Sequence, residues 1–106
     1  MPDTVSRVGT QTEQRPEIDL AQPDEGKYKI LIHNDDVTPY DFVILVLRHI
    51  FKLSAELAEH ITWQAHSQGV AAVCSRPRAE AERLINEAHT AARASGYPLT
   101  FTMEPK

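Results

Sequence analysis

A single cysteine, Cys74, leaves this chain with no internal disulfide and without the cysteine sets of a zinc ribbon. Its four glycines are scattered, so no Gly-rich phosphate loop can be drawn. Long apolar runs are missing as well. The longest, Phe42 to Leu47, meets Arg48 at once, far short of the ~18–20 residues of a membrane span. Met1-Pro2-Asp3-Thr4 has neither the basic nor the apolar region of a secretory signal. With one cysteine, the expectation is a cytoplasmic protein with no membrane partner. There is no excess of basic residues either. A net charge of −4 argues against a nucleic-acid backbone as partner. At 106 residues, 42% hydrophobic and 25% charged, the chain holds one globular domain at most, which excludes a multi-domain enzyme.

The negative charge is confined to one end. Residues 1–26 carry Asp3, Glu13, Glu17, Asp19, Asp24 and Glu25 against Arg7 and Arg15, while acids and bases balance over 27–106. The first segment is rich in Gln, Thr, Asp and Pro, and its apolar residues keep no period. It cannot bury enough surface to offset its ordering entropy. A disordered acidic arm is expected over 1–26, with one folded domain over 27–106. The arm is either a solubilising tail or an extended segment that reaches a partner.

Lys27 to His33 reads as a strand, being β-branched and aromatic, and Asn34-Asp35-Asp36-Val37 as a turn. Thr38-Pro39-Tyr40-Asp41 has the form of a helix start, with Thr38 as N-cap and Pro39 at the first helical position. The helix to about Phe51 is apolar nearly all round, which predicts that it is largely buried. Ser54 is placed to cap a second helix that ends near Gly69. Val70 to Cys74 reads as a second strand. Ser75-Arg76-Pro77 opens a third helix that ends at Gly96, and Leu99 to Met103 alternates as a third strand. The order β-α-α-β-α-β gives an α+β fold, a three-stranded sheet packed against three helices.

Among polar residues, Asn34-Asp35-Asp36 stands at the strand–helix junction, where carboxylates can hold a cation or an ammonium. Asn and Asp are also ordinary turn formers, so both readings stand at this level. Asp35 and Asp36 are adjacent, which would point them apart on a strand and weakens an acid–base dyad. Of the five histidines, His60 and His66 are spaced to different helix faces, and no metal site is expected. Trp63 is expected to be a packing residue and Cys74 a buried small hydrophobe.

Tyr28 to Val43, with its Asn34-Asp35-Asp36-Val37-Thr38-Pro39-Tyr40-Asp41-Phe42-Val43 core, resembles the ClpS family. These adaptors hand substrates with destabilising N-terminal residues to the ClpA or ClpC unfoldase of the Clp protease. The resemblance runs on through Ala65-His66-Ser67-Gln68-Gly69 and Ala79-Glu80-Ala81-Glu82. It ends at Gly96-Tyr97-Pro98-Leu99-Thr100-Phe101-Thr102-Met103-Glu104, covering residues 27–105. It implies a non-enzymatic adaptor with no cofactor and no catalytic residue. A module of this size with a small pocket is expected to be a monomer. Its α-amino-binding residues would be Asn34, Asp36 and His66. Its side-chain pocket would be Ile32, Thr38, Tyr40, Val43, Thr62, Ala65 and Leu99, with Asp35 at the edge, taking a Leu, Phe, Tyr or Trp side chain. The partner implied is the N-terminal domain of the unfoldase.

The chain departs from the family pattern in places. Tyr40 stands where Met is usual, and Thr62 and Ala65 where Met and Val are common. The expectation is that Tyr40 partly fills the space those two leave. The family's docking acid and lysine correspond to Ala79 and Leu84, with Glu80 and Arg83 one place away as substitutes. The alternative reading is a ClpS-like interaction module whose pocket or partner has diverged.

Overall fold

Ile30 and Ile32 stand two residues apart on the first strand and are both buried, so one face of the sheet must be covered. In a computed structural model, which describes residues 26–106, the cover is helical. The elements are β1 (Lys27–His33), α1 (Tyr40–His49), α2 (Ala55–Gln68), β2 (Val70–Pro77), α3 (Arg78–Ala94) and β3 (Thr100–Pro105). This is the expected β-α-α-β-α-β order. The expected arm, but for Gly26, lies outside the described residues. β1 is central and antiparallel to β2 on one side and β3 on the other. Val43, Val46 and Leu47 of α1, Ala58, Ile61 and Ala65 of α2, and Ala81, Leu84, Ile85, Ala88 and Ala92 of α3 join Ile30, Ile32, Ala71, Val73 and Phe101 in one core.

Several boundaries differ from the expectation. β2 runs to Pro77 rather than stopping at Cys74, because Ser75 and Arg76 pair with Lys29 and Tyr28 of β1. The ladder outweighs local helix signals there, and α3 begins at Arg78, whose N–H donates to Gly26 O at 2.9 Å. Helix α1 is not buried all round. Leu45 is 52% exposed, while Val43, Val46 and Leu47 are buried, so only one side of α1 meets the core. Trp63 is 58% exposed and packs in no core cluster, against the expectation. Cys74 is half-buried against the core. Its burial, with help from Glu80 and against Arg76, pushes the thiol above its ordinary range. The α2 termini are as expected. Ser54 Oγ accepts from Leu57 N–H at 3.2 Å, and Gly69 stops the helix at φ +91°, a backbone region open to glycine. No helix among the described residues is long and apolar enough to cross a membrane.

His89 fastens α3 to β3. Its Nε2 accepts the Phe101 N–H at 2.9 Å, and its ring lies against the Phe101 ring. Burial first, and then the charge of Arg93, hold its imidazole below the ordinary 6.5. Protonation would also cost the Phe101 bond, since Nε2 accepts only while it keeps its lone pair. A folded-state value below the unfolded one means that the unfolded chain binds the extra proton first. His89 therefore contributes stability above pH 6.5 that is lost as pH falls from there through the folded value. His89→Gln keeps an acceptor that does not titrate. Urea midpoints measured from pH 7.5 to 5 are expected to fall less steeply in the variant than in the wild type. Parallel curves would remove His89 from the acid response.

Candidate functional site

The end of β1, the turn after it, the start of α1, the second half of α2 and the residue before β3 meet around one cavity of about 360 Å³. That volume lies at the small end of ligand sites, roughly 300–1,000 Å³, and suits one side chain rather than a folded segment. Its walls are Ile32, Val43, Thr62, Ala65 and Leu99, all buried. Thr62 is polar, but its hydroxyl donates to Ala58 O at 2.7 Å, so it is already satisfied within α2.

The turn owes its shape to Asp35. One carboxylate oxygen accepts from Val37 N–H at 2.8 Å and Thr38 N–H at 2.7 Å. The other accepts from the Thr38 hydroxyl at 2.9 Å. Thr38 is therefore not the N-cap of α1, as the helix-start pattern implied. Its hydroxyl is turned back to Asp35. Pro39 takes the cap position, its carbonyl accepting from Phe42 and Val43 N–H. Burial pushes the Asp35 carboxyl up. The Thr38 and Val37 N–H groups, the Thr38 hydroxyl and the charge of Arg93 outweigh it, and the net position is below the ordinary 3.8. Across the turn, Asn34 N–H donates to Gly69 O at 2.9 Å and ties the turn to the end of α2, the helix that carries His66.

Asn34, Asp36 and His66 are exposed and line the mouth of the cavity. Two acceptor-bearing side chains and an imidazole thus stand over an apolar interior, an arrangement that matches an ammonium attached to an apolar group. The Tyr40 ring stands edge-on to the His66 ring, centroids 5.3 Å apart at 75°, and the residue is 42% exposed. Tyr40 thus lines the cavity with Thr62 and Ala65 and stands partly exposed against His66. All eleven residues named for the rim and pocket line this one cavity, together with His33, Val37 and Pro39. Those three were not singled out, although each directly adjoins a residue that was.

Arg93 was also missed. Its guanidinium donates from Nη1 to Tyr97 O and Leu99 O, both at 2.9 Å, and so holds the α3–β3 loop that carries Leu99 into the cavity wall. The Tyr97 ring rests on Phe42 of α1, centroids 4.9 Å apart, which fixes the same loop from the other side. A cation in the last turn of a helix resembles any surface arginine in sequence, so nothing there marked it. Glu80 and Arg83 do not reach the cavity. Each pairs within its own stretch of chain, Arg76–Glu80 at 3.5 Å and Arg83–Glu87 at 2.9 Å. Leu84 is in the core and cannot dock a partner. Among the described residues no three His, Cys, Asp or Glu side chains gather as a metal site.

A family model described as ATP-dependent Clp protease adaptor protein ClpS matches residues 23–102. This chain belongs to the ClpS family. It is 44% identical over 79 residues to the Clp protease adapter protein ClpS 2 of Mesorhizobium japonicum, covering 74% of this chain and 78% of that one. It is 38% identical over 95 residues to ClpS of Nautilia profundicola, covering 90% and 96%. The structure of Agrobacterium tumefaciens ClpS2 bound to L-phenylalaninamide superposes with a TM-score of 0.74 at 36% identity, over 77% of this chain and 99% of that one. ClpS membership makes the chain an adaptor of the ATP-dependent Clp protease, a non-catalytic role. A non-catalytic adaptor leaves no bond-breaking step to assign to this cavity.

Proposed function

We propose that this ClpS-family chain grips the first residue of a protein substrate in the cavity and delivers that substrate to the Clp unfoldase. The observation that carries the reading is the pairing of an apolar cavity sized for one side chain with Asn34, Asp36 and His66 at its mouth. An N-terminal residue is the one point in a polypeptide where an ammonium and a side chain leave the same carbon. Asp36 and the Asn34 amide oxygen accept from the ammonium, and a neutral His66 imidazole adds a third acceptor for its three donors. Ile32, Thr38, Tyr40, Val43, Thr62, Ala65 and Leu99 enclose a Leu, Phe, Tyr or Trp side chain, with Asp35 holding the edge. The Agrobacterium relative's ligand, L-phenylalaninamide, is such a group: a free amine, a benzyl side chain, and an amide where the next residue would follow.

The adaptor works as a monomer in the cytoplasm, its partner being the N-terminal domain of ClpA or ClpC. Glu80 and Arg83 are the charges offered to that partner. Their local pairs are exposed and hold them by only about 0–1 kcal/mol, so both are free to exchange partners. The acidic arm of residues 1–26 acts in delivery rather than in gripping.

Burying one Leu- or Phe-sized side chain contributes about 1.5–3 kcal/mol, and each hydrogen bond to a charged group about 1.5–3. After association costs, a dissociation constant on the order of micromolar is expected. Fluorescence anisotropy of a labelled Leu-first peptide tests this against its N-acetylated twin. The free peptide is expected to bind in that range and the acetylated one to show no saturable binding, having lost the charge and two of the three N–H donors. Equal binding of the two would refute recognition of the terminus. No binding of Leu-, Phe-, Tyr- and Trp-first peptides would favour an interaction module with a diverged pocket.

A further inference from the structure

Trp63 is the single tryptophan of the chain, and it is 58% exposed on α2 with no place in the core. Side chains three apart on a helix are surface neighbours, with Cβ atoms about 5–6 Å apart. Trp63 therefore neighbours His66 along α2, and the Tyr40 ring of α1 meets His66 edge-on, centroids 5.3 Å apart. Tyr40 and His66 line the mouth of the cavity, and Tyr40 is itself 42% exposed. Tyr40 and His66 thus stand at the mouth, and Trp63 lies three residues before His66 on α2. A lone exposed indole leaves a large apolar area in water, and such residues dominate binding energy where they occur in interfaces.

We propose that Trp63 extends the binding site past its rim and packs against the second residue of the bound chain, favouring an apolar or aromatic side chain there. The inference rests on the reading of the cavity as a grip on the first residue. With the ammonium held at the rim and the first side chain inside, the proposal sends the rest of the substrate out past His66 along α2. The next Cα lies about 3.8 Å further on, and a helical turn spans about 5.4 Å, so the second side chain falls within reach of the indole. Glu59 stands one turn before Trp63, and Asp36 stands at the rim, both exposed. Their charge disfavours an acidic second residue.

The indole itself reports the test, because no other tryptophan contributes emission. The full chain is titrated with two unlabelled peptides, Leu-Phe followed by glycines and serines, and Leu-Gly followed by the same tail. The Leu-Phe peptide is expected to bind roughly five- to tenfold more tightly and to shift the emission to the blue. Trp63→Ala, read by competition against a labelled peptide, is expected to bring Leu-Phe to the affinity of Leu-Gly, and Trp63→Phe to keep most of the difference. Equal affinities with an unmoved emission would overturn the proposal while leaving the first-residue grip intact. Failure of both peptides to bind would overturn the grip and this extension with it. A dimer seen by sedimentation and lost in Trp63→Ala would give the indole to a second copy of the chain, and the proposal would fall.

Discussion

Replacing Asp36 by alanine is expected to weaken binding of a Leu-first peptide by roughly ten- to a hundredfold, the equivalent of one hydrogen bond to a charged group. Asp36 is suited to this test because it does little else. It is exposed, and the turn it sits in is held by its neighbour Asp35. The variant should therefore melt close to the wild type, since surface substitutions away from structural contacts stay within about 0.5 kcal/mol. Asp36→Asn separates charge from hydrogen bonding. It keeps one acceptor oxygen and loses the attraction to the ammonium, so its affinity should fall between wild type and alanine. Its salt dependence should be flatter than that of the wild type, because an exposed ion pair is screened and a neutral contact is not. Titration calorimetry at low and high salt measures both effects. An alanine variant that binds within twofold of wild type would remove Asp36 from the site.

Local sequence patterns reached the element order and stopped short of several boundaries, for reasons visible in particular residues. Ser54 and Gly69 act within a few residues of themselves, and their helix ends were read correctly. Ser75 and Arg76 are committed by Lys29 and Tyr28 of strand β1, far away in sequence, and no local rule carries that information. The turn is the instructive case. Asn34-Asp35-Asp36 supported two readings on composition, a turn former and a site for an ammonium. The two carboxylates differ: Asp35 folds back on Val37 and Thr38 as a turn former, while Asp36 faces solvent at the cavity mouth, where the ammonium is proposed to sit. Which did which came from the family motif rather than from composition. Trp63 failed the expectation of packing because aromatic residues at helical spacing are usually core, and nothing local shows that α2 turns this position outward. Arg93 was invisible because its task is set by carbonyls four and six residues ahead, in a loop whose path depends on the whole fold.

Asp35→Ala is expected to do more damage than its position at the pocket edge implies. It removes the acceptor of two backbone N–H groups and one hydroxyl at once. Loss of a comparable side-chain cap costs about 0.5–2 kcal/mol, so a lower melting temperature is expected, together with at least a tenfold loss of peptide affinity as Asn34, Asp36 and Thr38 lose their shared anchor. Asp35→Asn keeps an oxygen for the two N–H groups and can turn its amide toward the Thr38 hydroxyl as donor, so most of the affinity should return. The pair also differs in acid. The native carboxyl lies below its ordinary 3.8, so the unfolded chain takes up the proton first. Asp35 thus contributes stability above pH 3.8 that is lost as pH falls through the lower folded value. That window is separate from the one His89 governs, which opens near pH 6.5. Denaturation midpoints followed from pH 5 to 2.5 should therefore drop more steeply in wild type than in Asp35→Asn, with the two curves parallel above pH 5. If the alanine variant kept wild-type affinity, the turn would be shown to hold its shape without Asp35, and the cavity mouth would have to be set by the Asn34–Gly69 link alone.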